Sequence, residues 1–377
     1  MKRILVLGAG KIGPLISCLL AGTKEYIVYL GDQDRAAADA VHDAHLDLPI
    51  VPIEINVDSL GGLRNAVKDH QVSAIVSSLP YFCNHRVAQV ALEQNVHYFD
   101  LTEDIEATHN VIDISQGATK AFVPQCGLAP GFISIAAQHM MARFTSLDTV
   151  KMRVGALPLN PNNALKYSLT WSTDGLINEY GNPCQGIKDG KLIQLLALEG
   201  YETISLDGIK YEAFNTSGGL GSLADSYNGR VRNMSYKTLR YPGHCEKIQL
   251  LMNDLKLNDD RQTLKRILEN SIPKTKQDVV LVYVSVSGLQ EDQFYEENYV
   301  RKIYPQTITG TLWSAIQITT ASSLCAVLDM VLQSPARYQG FIKQEQFSLM
   351  AFQQNRFGQF YVNAPKAAQS LSRQPRK

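Results

Sequence analysis

The segment Gly8-Ala9-Gly10-Lys11-Ile12-Gly13 stands between two apolar runs, Arg3-Leu7 and Pro14-Ala21. The first run has the length and composition of a β-strand, and the second has those of a helix. In a strand–turn–helix unit of this kind, the first glycine allows the tight turn and the second lets the backbone approach a pyrophosphate. The third lets the helix pack against the strand, and the helix N-terminus offers free amides to phosphate. We therefore predict a dinucleotide site that includes Gly8, Gly10, Lys11, Ile12 and Gly13.

An acidic side chain supports this prediction. The second strand, Tyr26-Leu30, leads to Asp32, about 20 residues beyond the last glycine, where a carboxylate meets the ribose hydroxyls. A carboxylate repels a 2′-phosphate, so the sequence favours NAD over NADP. The alternative is a glycine turn in an unrelated α/β sheet. Asp58, after the third strand, either contacts the adenine end or caps a helix over Leu60-Lys68, and both interpretations stay open.

The first 125 residues alternate between short β-rich runs and helical periods. This alternation is typical of parallel βαβ units, so residues 1–125 are predicted to form an α/β domain with a doubly wound parallel sheet of the Rossmann type. Its predicted strands are Arg3-Leu7, Tyr26-Leu30, Ile53-Val57, Ala74-Ser78, His97-Asp100 and Ala121-Pro124.

A second α/β domain with a large mixed sheet is predicted for residues 126–310, where substrate binding, catalysis and dimer contacts would lie. Its predicted strands are Thr149-Leu157, Leu192-Leu196, Lys247-Met252 and Asp278-Ser287, and its predicted helices are Phe132-Phe144 and Asp260-Ser271. Residues 311–363 are apolar enough to pack back on the first domain. Residues 364–377 are predicted to form a flexible tail.

Composition excludes several classes of protein. The 377 residues carry 36 Lys and Arg against 36 Asp and Glu, so no general field attracts nucleic acid. The six cysteines form no CxxC pair, which argues against a zinc site or a disulfide scaffold and favours a reducing cytoplasm. Gln317 and Asp329 interrupt the apolar segment Thr311-Leu332, so we expect a buried helix there and no membrane segment. No metal site is predicted.

Three segments follow successive strands and should meet at the carboxyl edge of the sheet, where doubly wound folds bind ligands. The first is Ser78-Leu79-Pro80-Tyr81, in which Ser78 and Leu79 should run past the nicotinamide. The second is Asp100-Leu101-Thr102-Glu103-Asp104, and the third runs from Pro124 to Gly131. Asp100 and Glu103 are candidate bases, although an acidic run before a helix is also a common capping pattern. Cys126 lies in the third segment, where it either takes part in the site or serves as a small buried hydrophobe.

Polar loops of the second domain are suited to a zwitterionic amino acid, which requires both cationic and anionic partners. Arg240 is a candidate for holding a carboxylate, and Glu179 for holding an ammonium. A surface loop with solvated charges is the alternative, and His244 is either a base or structural. The full set of substrate-binding candidates is Asn178, Glu179, Tyr236, Lys237, Arg240 and His244.

With these residues identified, the chain resembles the saccharopine dehydrogenase-like family, and within it the bacterial lysine 6-dehydrogenase branch. The most specific matching blocks are Phe214-Asn215-Thr216-Ser217-Gly218-Gly219 and the run from Tyr236 to His244. The resemblance implies a Rossmann domain, an inserted catalytic domain, a returning C-terminal segment and NAD(P)-dependent oxidation at a C–N bond. It also implies that Tyr81, Asp100 and Cys126 match positions near the reacting centre of saccharopine reductases.

Two departures favour the lysine branch. The chain is shorter than the saccharopine reductases, and Ala129 stands where they tend to have Asp. The implied reaction is oxidation of the 6-amino group of L-lysine, with hydride passing from C6 to NAD and the imine then hydrolysed to the semialdehyde and ammonia. Asp100 or Glu103 would take the ammonium proton, with Tyr81 or His244 as a relay. Alternatives are a saccharopine dehydrogenase, a carboxynorspermidine-type dehydrogenase or a non-catalytic NAD sensor, and a homodimer or a dimer of dimers is expected.

Overall fold

The computed structural model describes residues 1–362, so the predicted tail at 364–377 lies outside the described residues. The first domain contains six parallel strands in the spatial order β3-β2-β1-β4-β5-β6, which confirms the doubly wound sheet. They are β1 (Lys2–Leu7), β2 (Tyr26–Asp32), β3 (Ile50–Glu54), β4 (Ala74–Ser77), β5 (His97–Asp100) and β6 (Ala121–Val123). Between them lie α1 (Gly13–Gly22), α2 (Arg35–Ala44), α3 (Leu60–Asp69), α4 (Asn84–Glu93) and α5 (Ile105–Ile114).

The strand β1 shows why this sheet is parallel and central. Ile4 and Val6 belong to one hydrophobic core, and Leu5 and Leu7 belong to another on the opposite face. A strand buried on both faces requires a nearly continuous apolar run, which the first strand has. The third strand begins at Ile50, three residues before its predicted start at Ile53.

The second domain is built on an eight-stranded sheet with the order β10-β11-β12-β7-β13-β14, to which the β8–β9 hairpin attaches at β12. The β12–β7 pair is parallel and the others are antiparallel, which confirms a mixed sheet. The strands are β7 (Ser146–Pro158), β8 (Cys184–Lys188), β9 (Lys191–Leu195), β10 (Glu202–Leu206), β11 (Ile209–Asn215), β12 (Val231–Arg240), β13 (Asp278–Gln290) and β14 (Gln293–Ile303). The helices are α6 (Phe132–Met141), α7 (Thr173–Gly181), α8 (Leu223–Tyr227), α9 (His244–Gln249) and α10 (Arg261–Ser271).

The strand predicted over Lys247-Met252 is wrong. This segment is helical, since α9 continues into a further helical turn at Leu250–Asp254. Cys245, Ile248 and Met252 all enter one hydrophobic cluster, a spacing of three and four residues that suits a helix. The helical spacing was thus already present in this segment, but its strand-like composition led to the wrong prediction.

The C-terminal segment returns to the first domain. A short hairpin of β15 (Gln306–Ile308) and β16 (Thr311–Trp313) leads into α11 (Ala315–Gln333), followed by β17 (Gly340–Phe341) and α12 (Leu349–Gln354). The strand β17 pairs in parallel with β6 and completes a seven-stranded sheet. By length and composition α11 is able to cross a membrane, but 83% of its apolar window is buried inside the fold, as in a core helix.

Candidate active site

A cavity of about 300 Å³ lies between the carboxyl edge of the parallel sheet and one face of the mixed sheet. The first domain contributes the segments that follow β1, β4, β5 and β6, as the strand topology predicts. The second domain contributes β7, β12 and α7, and the returning helix α11 closes one side. The cavity therefore gathers residues that lie far apart in the chain.

The glycine loop has the form that a dinucleotide needs. A Cβ on Gly13 would lie 1.8 Å from the carbonyl oxygen of Gly8, so no side chain fits between helix and strand. Gly8 itself has φ +101°, which favours glycine. A Cβ on Gly10 would meet no atom within 4 Å, so this position faces open space. Ile12 gives α1 no side-chain cap, which leaves its first amides available to a pyrophosphate.

The two acids proposed for the ribose and adenine end differ in their surroundings. Asp32 lies beside the glycine loop, where its Oδ2 accepts a hydrogen bond of 2.7 Å from the Ala9 amide. Asp58 is mostly exposed and forms an ion pair with Arg86. The cap of α3 is Ser59, so the capping interpretation of Asp58 is wrong, and its contact with adenine stays a prediction.

Glu103 is the candidate base that lines the cavity. The neighbouring Asp104 caps α5 by accepting a hydrogen bond of 2.8 Å from the Ala107 amide, so the capping interpretation holds for Asp104 and not for Glu103. Burial, reinforced by the charge of Asp104, raises the pKa of Glu103 to about 7. Tyr81 also lines the cavity, and burial raises the pKa of its phenol.

Asp100 and Cys126 lie behind the cavity wall. The Asp100 carboxylate accepts hydrogen bonds from the Tyr98 hydroxyl at 2.7 Å and from the amides of Thr102 and Gln125 at 2.9 Å, which ties the ends of β5 and β6 together. Its burial raises its pKa to about 6. The Cys126 thiol is fully buried and donates to a backbone carbonyl at 3.0 Å. Their direct catalytic roles stay predictions.

Arg240 presents a buried guanidinium to the cavity from the end of β12. Its Nε donates to the Tyr180 hydroxyl at 2.8 Å, its Nη1 donates to the Leu239 carbonyl at 2.9 Å, and its Cζ lies 4.9 Å from the Tyr167 ring centroid. Among residues 1–362, no carboxylate accepts a hydrogen bond from it. The cavity therefore contains a buried cation with unused donors.

Glu179 enters the cavity from α7 and is also buried. Burial raises its pKa to about 8, although the charge of Arg240 acts in the opposite direction. The glycine-rich segment after β11 supports this region, since the amide of Ser217 donates to the Glu179 carbonyl at 2.9 Å. A Cβ on Gly219 would lie 2.2 Å from the Tyr236 ring, so only glycine allows this close contact.

Three predicted substrate-binding residues lie off the cavity. Lys237 points to the other face of β12 and pairs with Glu202 at 2.8 Å, because strand residues alternate between faces. Asn178 donates to Asp104 at 3.1 Å and so joins α7 to the start of α5. His244 is buried behind the cavity, where its ring nitrogens lie 3.0 Å from the Tyr180 hydroxyl and 2.8 Å from the Leu165 carbonyl oxygen, and burial together with the charge of Arg240 lowers its pKa to about 3.

Sequence reasoning missed several residues that line the cavity: Trp171, Asp174, Thr238, Ile316 and Thr320. Strand alternation from Tyr236 and Arg240 was a sufficient signal for Thr238. Ile316 and Thr320 are four residues apart on one face of α11, but nothing local indicates what that face meets.

The chain matches two family models. The saccharopine dehydrogenase NADP binding domain matches residues 4–122, and the saccharopine dehydrogenase C-terminal domain matches residues 127–354. A curated relative from Pyricularia oryzae, saccharopine dehydrogenase [NADP(+), L-glutamate-forming], is 23% identical over 361 residues, covering 88% of this chain and 77% of the relative. The mitochondrial alpha-aminoadipic semialdehyde synthase of Mus musculus is 23% identical over 278 residues, and the match covers 66% of this chain but only 27% of that protein.

The fold also has a close counterpart among solved structures. Apo saccharopine dehydrogenase (L-Glu forming) from Saccharomyces cerevisiae superposes with a TM-score of 0.75 at 16% identity, covering 93% of this chain and 95% of that one. Both sheets of the chain are thus those of a known architecture. The chain belongs to the saccharopine dehydrogenase family, oxidoreductases that act on CH–NH groups of amino acids with a nicotinamide cofactor.

Proposed function

We propose that this protein oxidises the 6-amino group of L-lysine with NAD and releases ammonia and the semialdehyde. The observation that supports this proposal is the set of charged side chains that line the cavity. Of the charged residues that line it, Asp174 pairs with Lys265 at 2.7 Å. Lys11 is exposed and forms no ion pair among the described residues, and its ammonium donates to the Trp171 carbonyl. Glu103, Glu179 and Arg240 also line the cavity without an ion pair to any described residue.

These three side chains match the charges of lysine, which has two ammonium groups and one carboxylate. Arg240 and Glu179 come from the second domain and suit the carboxylate and the 2-ammonium. Glu103 follows β5 at the sheet edge and shares the cavity with Lys11 and Ile12 of the glycine loop, so it suits the 6-ammonium. Both carboxyl groups have raised pKa values without substrate, and a bound ammonium would favour their ionised forms.

Glu103 would act as the base. An alkylammonium with an ordinary pKa of about 10.4 has to lose a proton before its carbon can release hydride. The ionised Glu103 carboxylate accepts that proton, and the Tyr81 hydroxyl is available to orient the free amine. NAD, when bound, accepts the hydride from C6. Glu103, after losing its proton to solvent, then takes a proton from the water that adds to the iminium carbon and gives it to the nitrogen. The C–N bond breaks as the hydroxyl proton passes to solvent, which leaves the semialdehyde and ammonia.

The preference for NAD rests on Asp32. Its carboxylate lies beside the glycine loop and suits the ribose hydroxyls, whereas a 2′-phosphate would bring negative charge close to it. The family model that matches this domain has NADP in its name, so the choice between the two cofactors needs its own measurement.

Oxidation of saccharopine with release of glutamate is the second candidate, favoured by the likeness to the Pyricularia oryzae and yeast proteins. Saccharopine carries three carboxylates and requires more than one cation. In the part of the chain that the structure describes, two cations line the cavity: the buried Arg240, and the exposed Lys11, whose ammonium already donates to the Trp171 carbonyl. One buried cation suits one carboxylate better than three. Ala129, where saccharopine reductases tend to have Asp, also lines the cavity.

The deciding experiment measures NADH formation by absorbance with purified protein and NAD, offering L-lysine and saccharopine separately at alkaline pH. Ammonia and glutamate are assayed as products. We expect turnover of lysine with one ammonia released for each NADH. Saccharopine turnover that releases glutamate would replace the proposal with the second candidate, and silence with both, despite measured NAD binding, would contradict both.

A pair of variants on β12 tests the role of the cation. Arg240→Met should raise the KM for lysine by about tenfold or more, because a buried charge-assisted hydrogen bond is lost. Arg232→Met is the matched control, since Arg232 lies on the same strand with a side chain that is 65% exposed. An equal change of the KM for lysine in the two variants would show that Arg240 does not bind the substrate.

A further inference from the structure

A directed chain of hydrogen bonds lies behind Arg240. The Nε of Arg240 donates to the Tyr180 hydroxyl at 2.8 Å, and that hydroxyl lies 3.0 Å from Nε2 of His244. Nδ1 of His244 lies 2.8 Å from the Leu165 carbonyl oxygen. All three side chains are at most 3% exposed, so water does not compete for these bonds.

The direction of each bond follows from what each group can donate. A carbonyl oxygen only accepts, so Nδ1 of His244 carries the proton that bonds to Leu165. In the neutral ring Nε2 is then an acceptor, and it receives the Tyr180 hydroxyl proton. The lone pairs of Tyr180 remain for Arg240. A second proton on His244 would place a cation near a buried guanidinium and leave Tyr180 facing two donors.

Aromatic rings also pack against Arg240 and His244. The Arg240 Cζ lies 4.9 Å from the centroid of the Tyr167 ring and 5.7 Å from that of the Tyr180 ring. His244 stacks with Phe214, with ring centroids 6.3 Å apart and planes at 12°. The Nε edge of the guanidinium is therefore committed to the protein interior, while its Nη2 makes no hydrogen bond to any residue in 1–362.

We propose that Tyr180 and His244 are positioning residues that aim the free edge of the Arg240 guanidinium into the cavity, and so select amine substrates that carry a carboxylate. This inference rests on the proposed function in one respect, that Arg240 holds the substrate carboxylate. Neither residue touches the substrate. His244, which the sequence analysis offered as a base, acts through Tyr180 on binding.

The test compares L-lysine with 1,5-diaminopentane, which has the same chain and no carboxylate. Tyr180→Phe should raise the KM for lysine about tenfold, the range for a lost hydrogen bond to a charged group, with little change in kcat. Its constants for 1,5-diaminopentane should stay at the wild-type values. Equal changes for both substrates, or no change for lysine, would overturn the inference.

Further variants separate positioning from a general loss of structure. Tyr227→Phe removes another tyrosine hydroxyl that donates a hydrogen bond inside the fold, to Gln138 at 2.6 Å, but is not bonded to Arg240, and it should leave both KM values unchanged. His244→Phe should reproduce the effect of Tyr180→Phe, whereas His244→Gln, which restores an acceptor, should recover part of the affinity. A His244→Phe/Tyr180→Phe double variant should be no worse than either single one. Additive effects of the two substitutions on the KM for lysine would show that Tyr180 and His244 do not act on Arg240 through one series of hydrogen bonds.

A binding measurement keeps this inference separate from the reaction. Calorimetric titration of 6-aminohexanoate, a carboxylate-bearing amine, in the presence of NADH should show about tenfold weaker binding to Tyr180→Phe than to wild type. Failure of wild type to oxidise lysine would refute the proposed function while leaving this readout intact. Equal binding to both proteins, or none to wild type, would overturn the inference.

Discussion

Glu103 is a half-buried residue at the sheet edge, and desolvation of its carboxyl group in the cavity raises its pKa to about 7. As a base it works only when ionised, so kcat for lysine should fall at acid pH, while kcat/KM should already fall below about 8 because Glu179 must also be ionised to hold the ammonium. Glu103→Gln should lower kcat by about 10²–10⁴ and remove the acid limb of kcat, while the limb of kcat/KM that is due to Glu179 remains. A pH series of initial rates for wild type and variant checks both expectations.

Asp100→Asn is the matched comparison for Glu103→Gln. Asp100 accepts three hydrogen bonds at the ends of β5 and β6, and an amide replaces one accepting oxygen with a donor. We expect a lower melting temperature from this substitution, with the acid limb of the pH profile retained. Loss of that limb in Asp100→Asn, with normal behaviour of Glu103→Gln, would transfer the role of base to Asp100.

Asp32 is the residue that we expect to set the choice of cofactor at the other end of the site. Asp32→Asn removes the charge but keeps one oxygen that can accept from the Ala9 amide, so the loop should keep its shape. The ratio of kcat/KM for NAD to that for NADP should fall about tenfold or more, since the repulsion of a 2′-phosphate is lost. A wild-type preference for NADP would refute this role for Asp32.

The loop between β11 and α8 packs closely against Glu103. Gly218 has φ +82°, and a Cβ there would lie 2.3 Å from the carbonyl oxygen of Glu103. Gly218→Ala should therefore shift Glu103 and lower kcat/KM about tenfold or more, because small displacements of catalytic groups are costly. Steady-state kinetics and the melting temperature are measured together.

Gly208→Ala is the control for backbone strain in this comparison. Gly208 has φ +77°, but a Cβ there would meet nothing within 4 Å. Both substitutions cost about 1–2 kcal/mol of backbone strain, and only the one at Gly218 disturbs the site. Similar kinetics for the two variants would show that the loop does not position Glu103.

On the scale of the whole molecule, the C-terminal segment is held to the first domain by an ionic cluster. Arg356 donates to Glu25 at 2.7 and 2.9 Å and to Asp329 of α11 at 2.8 Å, and Tyr26 of β2 donates to the same Asp329 at 2.5 Å. Asp329 is buried, so loss of Arg356 leaves it with less compensation.

Arg356→Met should lower the free energy of unfolding by about 1–2 kcal/mol, the lower part of the range for hydrogen bonds to charged groups, because Arg356 is partly exposed. Denaturant unfolding measures this change. Arg232→Met serves as the exposed control and should stay within about 0.5 kcal/mol of wild type. No difference between the two would mean that apolar packing of α11 alone holds the segment.

The parallel sheet, the dinucleotide loop and the segments at the carboxyl edge of the sheet were all predictable from the amino-acid sequence. These features depend on local periods and on glycines whose backbone requirements are met within a few residues, as at Gly8 and Gly13. The family was also recognised from short contiguous motifs, such as the run from Tyr236 to His244. The helical period at Lys247-Met252 was also present in the sequence, but a strand-like composition concealed it.

Which polar residues share the cavity became visible only in the folded structure. Glu103 and Asp104 are adjacent acids, yet one is desolvated in the cavity and the other caps a helix. Arg240 faces the cavity, while His244, four residues later, lies behind it and bonds to Leu165. The role of a polar side chain depends on its burial and on partners from distant parts of the chain, and no local pattern contains that information.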